Sequence, residues 1–557
     1  MKIENDIKPQ FNIKQIQRKN NQNGLTVTPA KTQSFTGFSP VPLLNFLDTN
    51  QAWGACAVDL GFMVIPRTAT DFGRGADAGF ETMRREGLGT TNHSCVGLYG
   101  TAAGMALAAA LNHTYGLGKG SIKAHSIFAD TETLDMQGKI FTEAIKKPNP
   151  LEEHLTQVLS RYQVQTADGS WKGFGADEIK KAAQILENEI RTGGKKISKE
   201  ADYNVRSILR SSVEGIGNNF RIISEDGAKQ HTSRYSIDYI VENAYKLTKI
   251  FIKDKVKETF ENTADYAQNA FLKSIKTMNK NRSLVGIGIA SAVGVSAQPL
   301  NMYITKKKTG NTGFVGGGEE DKSAKFKAKK AVFATLFGAG VLSTIENPLK
   351  LIKNPKLLGD ALLFKGFSPT IKQFKFIYGI TIMSRFLASR NDNELKESTI
   401  KDTLGFANWL ILGNFVQKLV AQGLDKTLVK RDGRGIVNWL KNSTLKTREE
   451  VLHSALGKKA FKNGKALSLM EMIKELPKGH AARKQLGFLT LAQLAGYAYS
   501  GIVLGTGIPK LNIYLTKRRM AKQNAQQQDN ATANDNKQAV AYAKSLNNFT
   551  GYKMIHQ

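Results

Sequence analysis

The chain has 557 residues, 41% of them apolar, and carries 79 Lys and Arg against 47 Asp and Glu, a formal charge of +32. Its mean hydropathy of −0.31 excludes a wall-to-wall membrane protein, and the charge points to anionic partners, nucleic acid or anionic lipid. Two cysteines, Cys56 and Cys95, lie inside apolar stretches and make neither a disulfide framework nor a cysteine metal site.

Residues 1–44 are polar, rich in Asn, Gln, Lys and Thr, and read as a disordered basic tail. No apolar core follows the opening "MKIENDIKPQ", so we expect no cleavable signal peptide and an internal segment that directs any membrane insertion. Residues 45–118 hold two apolar helices, the second within Leu88–Gly118, which bears no formal charge. Residues 119–282 form a charged helical insert. Within it, 235–275 places Ile237, Ile240, Val241, Ala244, Leu247, Phe251 and Phe260 near one face. That spacing predicts a long amphipathic helix, more simply a wall of a bundle than a membrane- or partner-binding surface.

A third apolar helix follows at 283–308, with 22 uncharged residues from Ser283 to Ile304. Residues 309–369 are a Gly- then Lys-rich linker with an apolar stretch, Ala331–Ile345. Residues 370–424 carry two shorter apolar helices, around Phe376–Ser384 and Thr403–Gln417, and 425–484 are a basic helical insert. Residues 485–519 contain 25 uncharged residues, Gln485–Pro509, and 520–557 form an Asn/Gln-rich disordered tail. The tails share a short echo, "SFTGF" at 34–38 and "NFTGY" at 548–552. The three long uncharged stretches are each long enough to cross a hydrocarbon core of about 30 Å as a helix. They also place small residues four apart: Gly100 and Gly104, then Gly286, Ala290 and Gly294, then Gly501 and Gly505. Such spacing lets helix backbones approach closely in lipid. In a water-exposed helix each Gly costs about 1 kcal/mol relative to Ala.

The chain also repeats itself. "LNMYITKKK" at 300–308 returns as "LNIYLTKRR" at 511–519, identical at five of nine positions. Upstream, "ETMRREGLG" at 81–89 matches "ESTIKDTLG" at 397–405, and an arginine stands seven residues before each Glu, Arg74 and Arg390. Further upstream, apolar stretches end at Arg67 in "GFMVIPR" and at Arg385 in "GITIMSR". The order is the same in both halves, which predicts an all-α, membrane-embedded bundle of two tandem three-helix repeats plus a linking apolar helix. With all seven stretches crossing, the repeats would be parallel, related by an axis along the membrane normal. Basic loops on both expected sides argue against seven clean crossings.

We find no nucleophile elbow, Walker loop, EF-hand or zinc spacing, so no enzyme, cofactor or metal is expected. The duplicated charges are the candidate site: Glu81 and Arg85, with Glu397 and Lys401, each pair sharing a helix face. Asp59 is an intramembrane carboxylate, expected to pair with Arg67 or Arg85, and Arg385 is the counterpart of Arg67. The alternative role for these charges is purely structural. Tyr303, Lys306 and Lys307, with Tyr514, Lys517 and Arg518, are expected to anchor helix ends at the lipid interface. The first functional expectation is a non-enzymatic integral membrane scaffold. Its partners would be the bilayer, with anionic lipid at the basic flanks, and a protein bound through the 119–282 insert or the tails. The alternative is a pseudo-symmetric transporter or channel with a site at the repeat interface. A basic nucleic-acid binder is the minor reading, because no recognition module is present.

Overall fold

A computed structural model describes residues 40–553, apart from 50, 74, 119–120, 166–170, 193, 214–219, 224–234, 311–319, 413, 431–434, 436–438, 440–442 and 463–464. Arg74 and the "SFTGF" segment lie outside the described residues. The chain is mostly helical, 79% helix and 4% strand.

The first apolar segment forms α1 (Val41–Thr49), α2 (Gln51–Val58) and α3 (Ile65–Phe72), the last two joined by a wider π-helical stretch, Asp59–Val64. Then α4 (Ala76–Ser94) meets α5 (Val96–Thr114) at a 44° bend. The first insert follows, with α6 (Thr131–Ala144), α7 (Pro150–Ser160), α8 (Ala176–Thr192), α9 (Lys199–Ser211), α10 (Ile237–Phe251) and α11 (Asp254–Glu261). Three short strands, β1 (Tyr162–Gln165), β2 (Trp171–Gly173) and β3 (Phe220–Ile222), make an antiparallel sheet in the order β2-β1-β3. The expected long helix over 235–275 is instead three pieces. It breaks after Phe251 and again after Glu261, and Asn269 caps the next helix by accepting from the Leu272 amide at 2.9 Å. Helix α10 is buried on nearly all sides, from Ile237 through Phe251, so it is a core element of the insert rather than a surface helix.

Helix α12 (Ala270–Thr309) has 40 residues, about 60 Å at 1.5 Å per residue. Its first turns pack Phe271, Leu272, Ile275 and Met278 into the insert core, and the rest runs through the bundle against α4 and α5. Next come α13 (Ala324–Ile345), the short α14 (Pro348–Lys353) and α15 (Lys356–Ala361), then α16 (Ile371–Ala388), α17 (Asp392–Phe406) and α18 (Phe415–Leu424). A second π stretch, Ala407–Ile411, follows α17. The second insert holds α19 (Arg448–Leu456) and α20 (Leu469–Glu475) around its own apolar cluster, with two small two-stranded pairings. Helix α21 (Ala481–Ser500) passes through a third π stretch, Gly501–Gly507, into α22 (Ile508–Lys553). Among the described residues, the Asn/Gln-rich part of α22 joins none of the apolar clusters.

Two arrangements position the site. Helix α16 packs on α12, while the Asp59–Val64 stretch and α3 pack on Gly501–Gly507. One apolar cluster joins residues far apart in the chain, from Met63 to Tyr378, Trp409 and Leu504. The inserts also meet: Tyr203 donates to the Leu467 carbonyl at 2.6 Å, the Ala466 amide donates to Asn204 at 2.7 Å, and Arg210 pairs with Glu449. Among the described residues, three helices are long and apolar enough to cross a membrane, Ala270–Lys308, Ala324–Ile345 and Ala481–Gln523, and a fourth is reached only if the bent α4–α5 pair is counted as one span. The other three expected stretches form α2–α3, α16 and α17–α18, which fall short of that measure.

Candidate functional site

The duplicated charges converge. Helix α4 brings Glu81 and Arg85 to one face, and α17, capped by the Asn391 side chain, brings Glu397 and Lys401. Arg67 arrives from α3 and Arg385 from α16, and all six line one cavity of about 40 Å³ with Asp71, Ser398, Asp402 and Asn512. The centre of the charge network is a residue outside the expected set, Glu86. Its side chain is 2% exposed, with Arg85 and Lys401 nitrogens at 3.2 Å, Arg385 at 3.4 Å and Arg67 at 3.7 Å. Asp402 pairs with Arg385 at 3.0 Å. Buried ions persist only when paired in this way, because each costs several kcal/mol to desolvate.

The matched Leu-Gly positions show why the arginines fit. A Cβ on Gly405 would stand 3.1 Å from Arg67 Nη2, and one on Gly89 would stand 3.8 Å from Arg385 Nη2. Each arginine therefore reaches the glycine of the other matched sequence segment. Arg67 Nε donates to the Leu504 carbonyl at 3.2 Å, inside the third π stretch. A π turn disturbs the regular helical ladder, and such turns recur at functional sites.

The repeated LNxYxTK motif divides its labour by face. Arg84 donates to Asn301 at 3.3 Å and to Thr305 at 3.1 Å, and Thr516 donates to Glu397 at 3.4 Å. Asn301 and Thr305 thus tie α12 to α4, and Thr516 ties α22 to α17. Tyr303 and Tyr514 point outward, 64% and 60% exposed, with Lys306, Lys307, Lys517 and Arg518 also exposed.

Asp59 does not pair with Arg67 or Arg85. It accepts from the Thr90 hydroxyl at 2.6 Å and lies 2.8 Å from His93 Nε2, both on α4. The reason is geometric: Thr90 and His93 are about one helical turn apart and face α2–α3, whereas Arg85 turns toward Glu86. Phe374, Tyr378 and Trp409 surround the His93 ring. Among the described residues, no group of three or more His, Cys, Asp or Glu side chains is placed to hold a metal ion.

The small residues lie where helices touch. A Cβ on Gly286 would meet the Gly100 backbone at 2.8 Å, one on Gly100 the Phe364 ring at 2.6 Å, and one on Gly104 the Arg282 side chain at 2.8 Å. Gly294 abuts Thr381, Gly501 abuts Phe62, Gly505 abuts the Phe62 carbonyl, and Ala290 is fully buried. Glu86 and Asp402 are visible in the duplicated skeleton as its Glu/Asp position, but their neighbours come from distant parts of the chain. No protein-family model matches this chain, and no curated protein or solved structure is significantly similar to it.

Proposed function

We propose that this chain is an internally duplicated integral membrane protein whose two three-helix halves, linked by α13, close around a charged path for a small solute, as in a transporter or channel. The observation that carries this reading is the cavity lined by matched residues of both halves, Arg67 with Arg385, Glu81 with Glu397, and Arg85 with Lys401. A pure scaffold would favour a dry, small-residue interface there, and that kind of packing lies elsewhere, at Gly100 and Gly286. Membrane embedding is supported by the candidate spans and by exposed apolar side chains along them, such as Leu284, Ile289, Val295, Leu336 and Ile502. In that setting the exposed Tyr and basic ends of α12 and the LNxYxTK part of α22 sit at headgroup level, where anionic lipid suits them. The joined inserts favour a second role beside the path, the recruitment of a protein partner.

Two measurements test this. Alkaline carbonate should leave the protein in the membrane pellet until detergent is added; release by carbonate would end the membrane reading. In a background lacking Cys56 and Cys95, Ser398→Cys on the cavity wall should react with a small charged thiol reagent in intact membranes. Ala290→Cys, at a buried helix contact, should not. Equal protection of both would replace the path with a dry scaffold.

A further inference from the structure

The cavity treats its two matched arginines differently. Arg385 holds two carboxylates, Asp402 at 3.0 Å and Glu86 at 3.4 Å. Arg67 has its closest ion-pair contact with Glu86 at 3.7 Å. Among the described residues neither of its terminal nitrogens has a hydrogen-bond acceptor, although its side chain is only 1% exposed. The asymmetry traces to one methylene. Glu86 is long enough to reach across to the arginine of the other half, whereas its counterpart Asp402 engages only the arginine of its own half. The acidic side chains on the wall are engaged elsewhere: Asp71 accepts from Thr82, Glu397 from Thr516, and Glu81 has contacts of its own. A buried guanidinium that lines a polar cavity and whose terminal nitrogens lack an acceptor calls for one.

We propose that the Arg67 end of this cavity binds a small monovalent anion of halide size. The volume fits: about 40 Å³ is room for roughly three waters or one halide, against the ~300 Å³ or more of a drug-sized ligand site. Arg85, Arg385 and Lys401 on the same wall are balanced by Asp71, Glu81, Glu397 and Asp402, so the attraction comes from the Arg67 terminal nitrogens rather than from net charge, and the protein interior strengthens it relative to water. The proposal rests on reading the cavity as a solute site, but its test does not require transport.

The test is the melting temperature of the full-length protein in detergent, in sodium bromide against sodium gluconate at equal ionic strength. Bromide should raise it by about 2 °C or more, as a ligand that binds only the folded state does. Asp402→Glu keeps the charge and lengthens the reach. It should raise the melting temperature in gluconate and abolish the bromide effect. Arg67→Gln should abolish the bromide effect as well. Equal melting of the native protein in both salts would overturn the proposal, and so would a bromide shift that persists in both variants. Labelling of Ser398→Cys without a bromide shift would retain the path and remove the anion. A bromide shift without labelling would retain the anion and remove the path.

Discussion

Glu86→Gln is the substitution that most directly probes the charge network. Its carboxylate faces four cations between 3.2 and 3.7 Å away. At an effective dielectric of about 20, each such contact is worth roughly 5 kcal/mol of gross attraction. Desolvation offsets much of this, but removing one partner of a buried pair leaves uncompensated charge and typically costs about 3–5 kcal/mol. Arg385 would keep Asp402, so the burden falls on Arg67, Arg85 and Lys401. We therefore expect Glu86→Gln to destabilise the protein by about 3–5 kcal/mol, and Glu86→Gln with Lys401→Met to recover part of the loss. Thermal unfolding of the purified protein reads both. Glu187→Gln is the control: its partner Arg191 is 60% exposed, and exposed pairs are worth about 0–1 kcal/mol. If Glu86→Gln costs no more than Glu187→Gln, Glu86 is not the centre of the network.

Gly286→Ala should lower the melting temperature, because its new Cβ would stand 2.8 Å from the Gly100 backbone and overpacking costs about 1–3 kcal/mol. Gly288→Ala, with open space around it, should be neutral or gain up to about 1 kcal/mol of helix propensity. The His154 ring is fully buried against Phe141 and Phe251, and burial pushes its pKa down from 6.5 to about 3. Above pH 6.5 the ring is neutral in both folded and unfolded chains, but below it only the unfolded chain takes up the proton. Stability should thus fall with pH, by about 2 kcal/mol at pH 5 from this group alone. His154→Leu should remove that part of the acid sensitivity in thermal melts between pH 8 and pH 5, and an unchanged pH profile would contradict it. Asn204→Cys with Ala466→Cys should cross-link with a short bis-thiol reagent in the Cys56- and Cys95-free background, since the Ala466 amide lies 2.7 Å from the Asn204 side chain. Absence of the cross-link would separate the two inserts.

Sequence is a sound guide where the signal is local. Two of the three long uncharged stretches lie in long helical runs, the third is split at the bend between α4 and α5, and small residues four apart are points of close contact, because these depend on which side chains a single helix presents. The pairs Glu81–Arg85 and Glu397–Lys401 share faces for the same reason: four residues make about one helical turn. The expected long helix over 235–275 fails because its apolar periodicity does not register the breaks after Phe251 and Glu261. The three-stranded sheet of the insert escapes notice because strands of three and four residues are too short for alternation to identify.

Sequence alone determined the helical composition, the order of matched motifs, and the duplicated charges that mark the cavity. Tertiary structure alone decided their partners. Glu86 meets Arg385, 299 residues away, and Asp59 meets His93 rather than an arginine. Pairing of buried charges depends on how helices cross and on side-chain reach, and neither is encoded in local spacing. The difference between Glu86 and Asp402 is a single methylene in sequence. Only the way the helices that carry them cross turns it into a difference between two arginines: one holds two carboxylates, and the other has terminal nitrogens without a hydrogen-bond acceptor among the described residues.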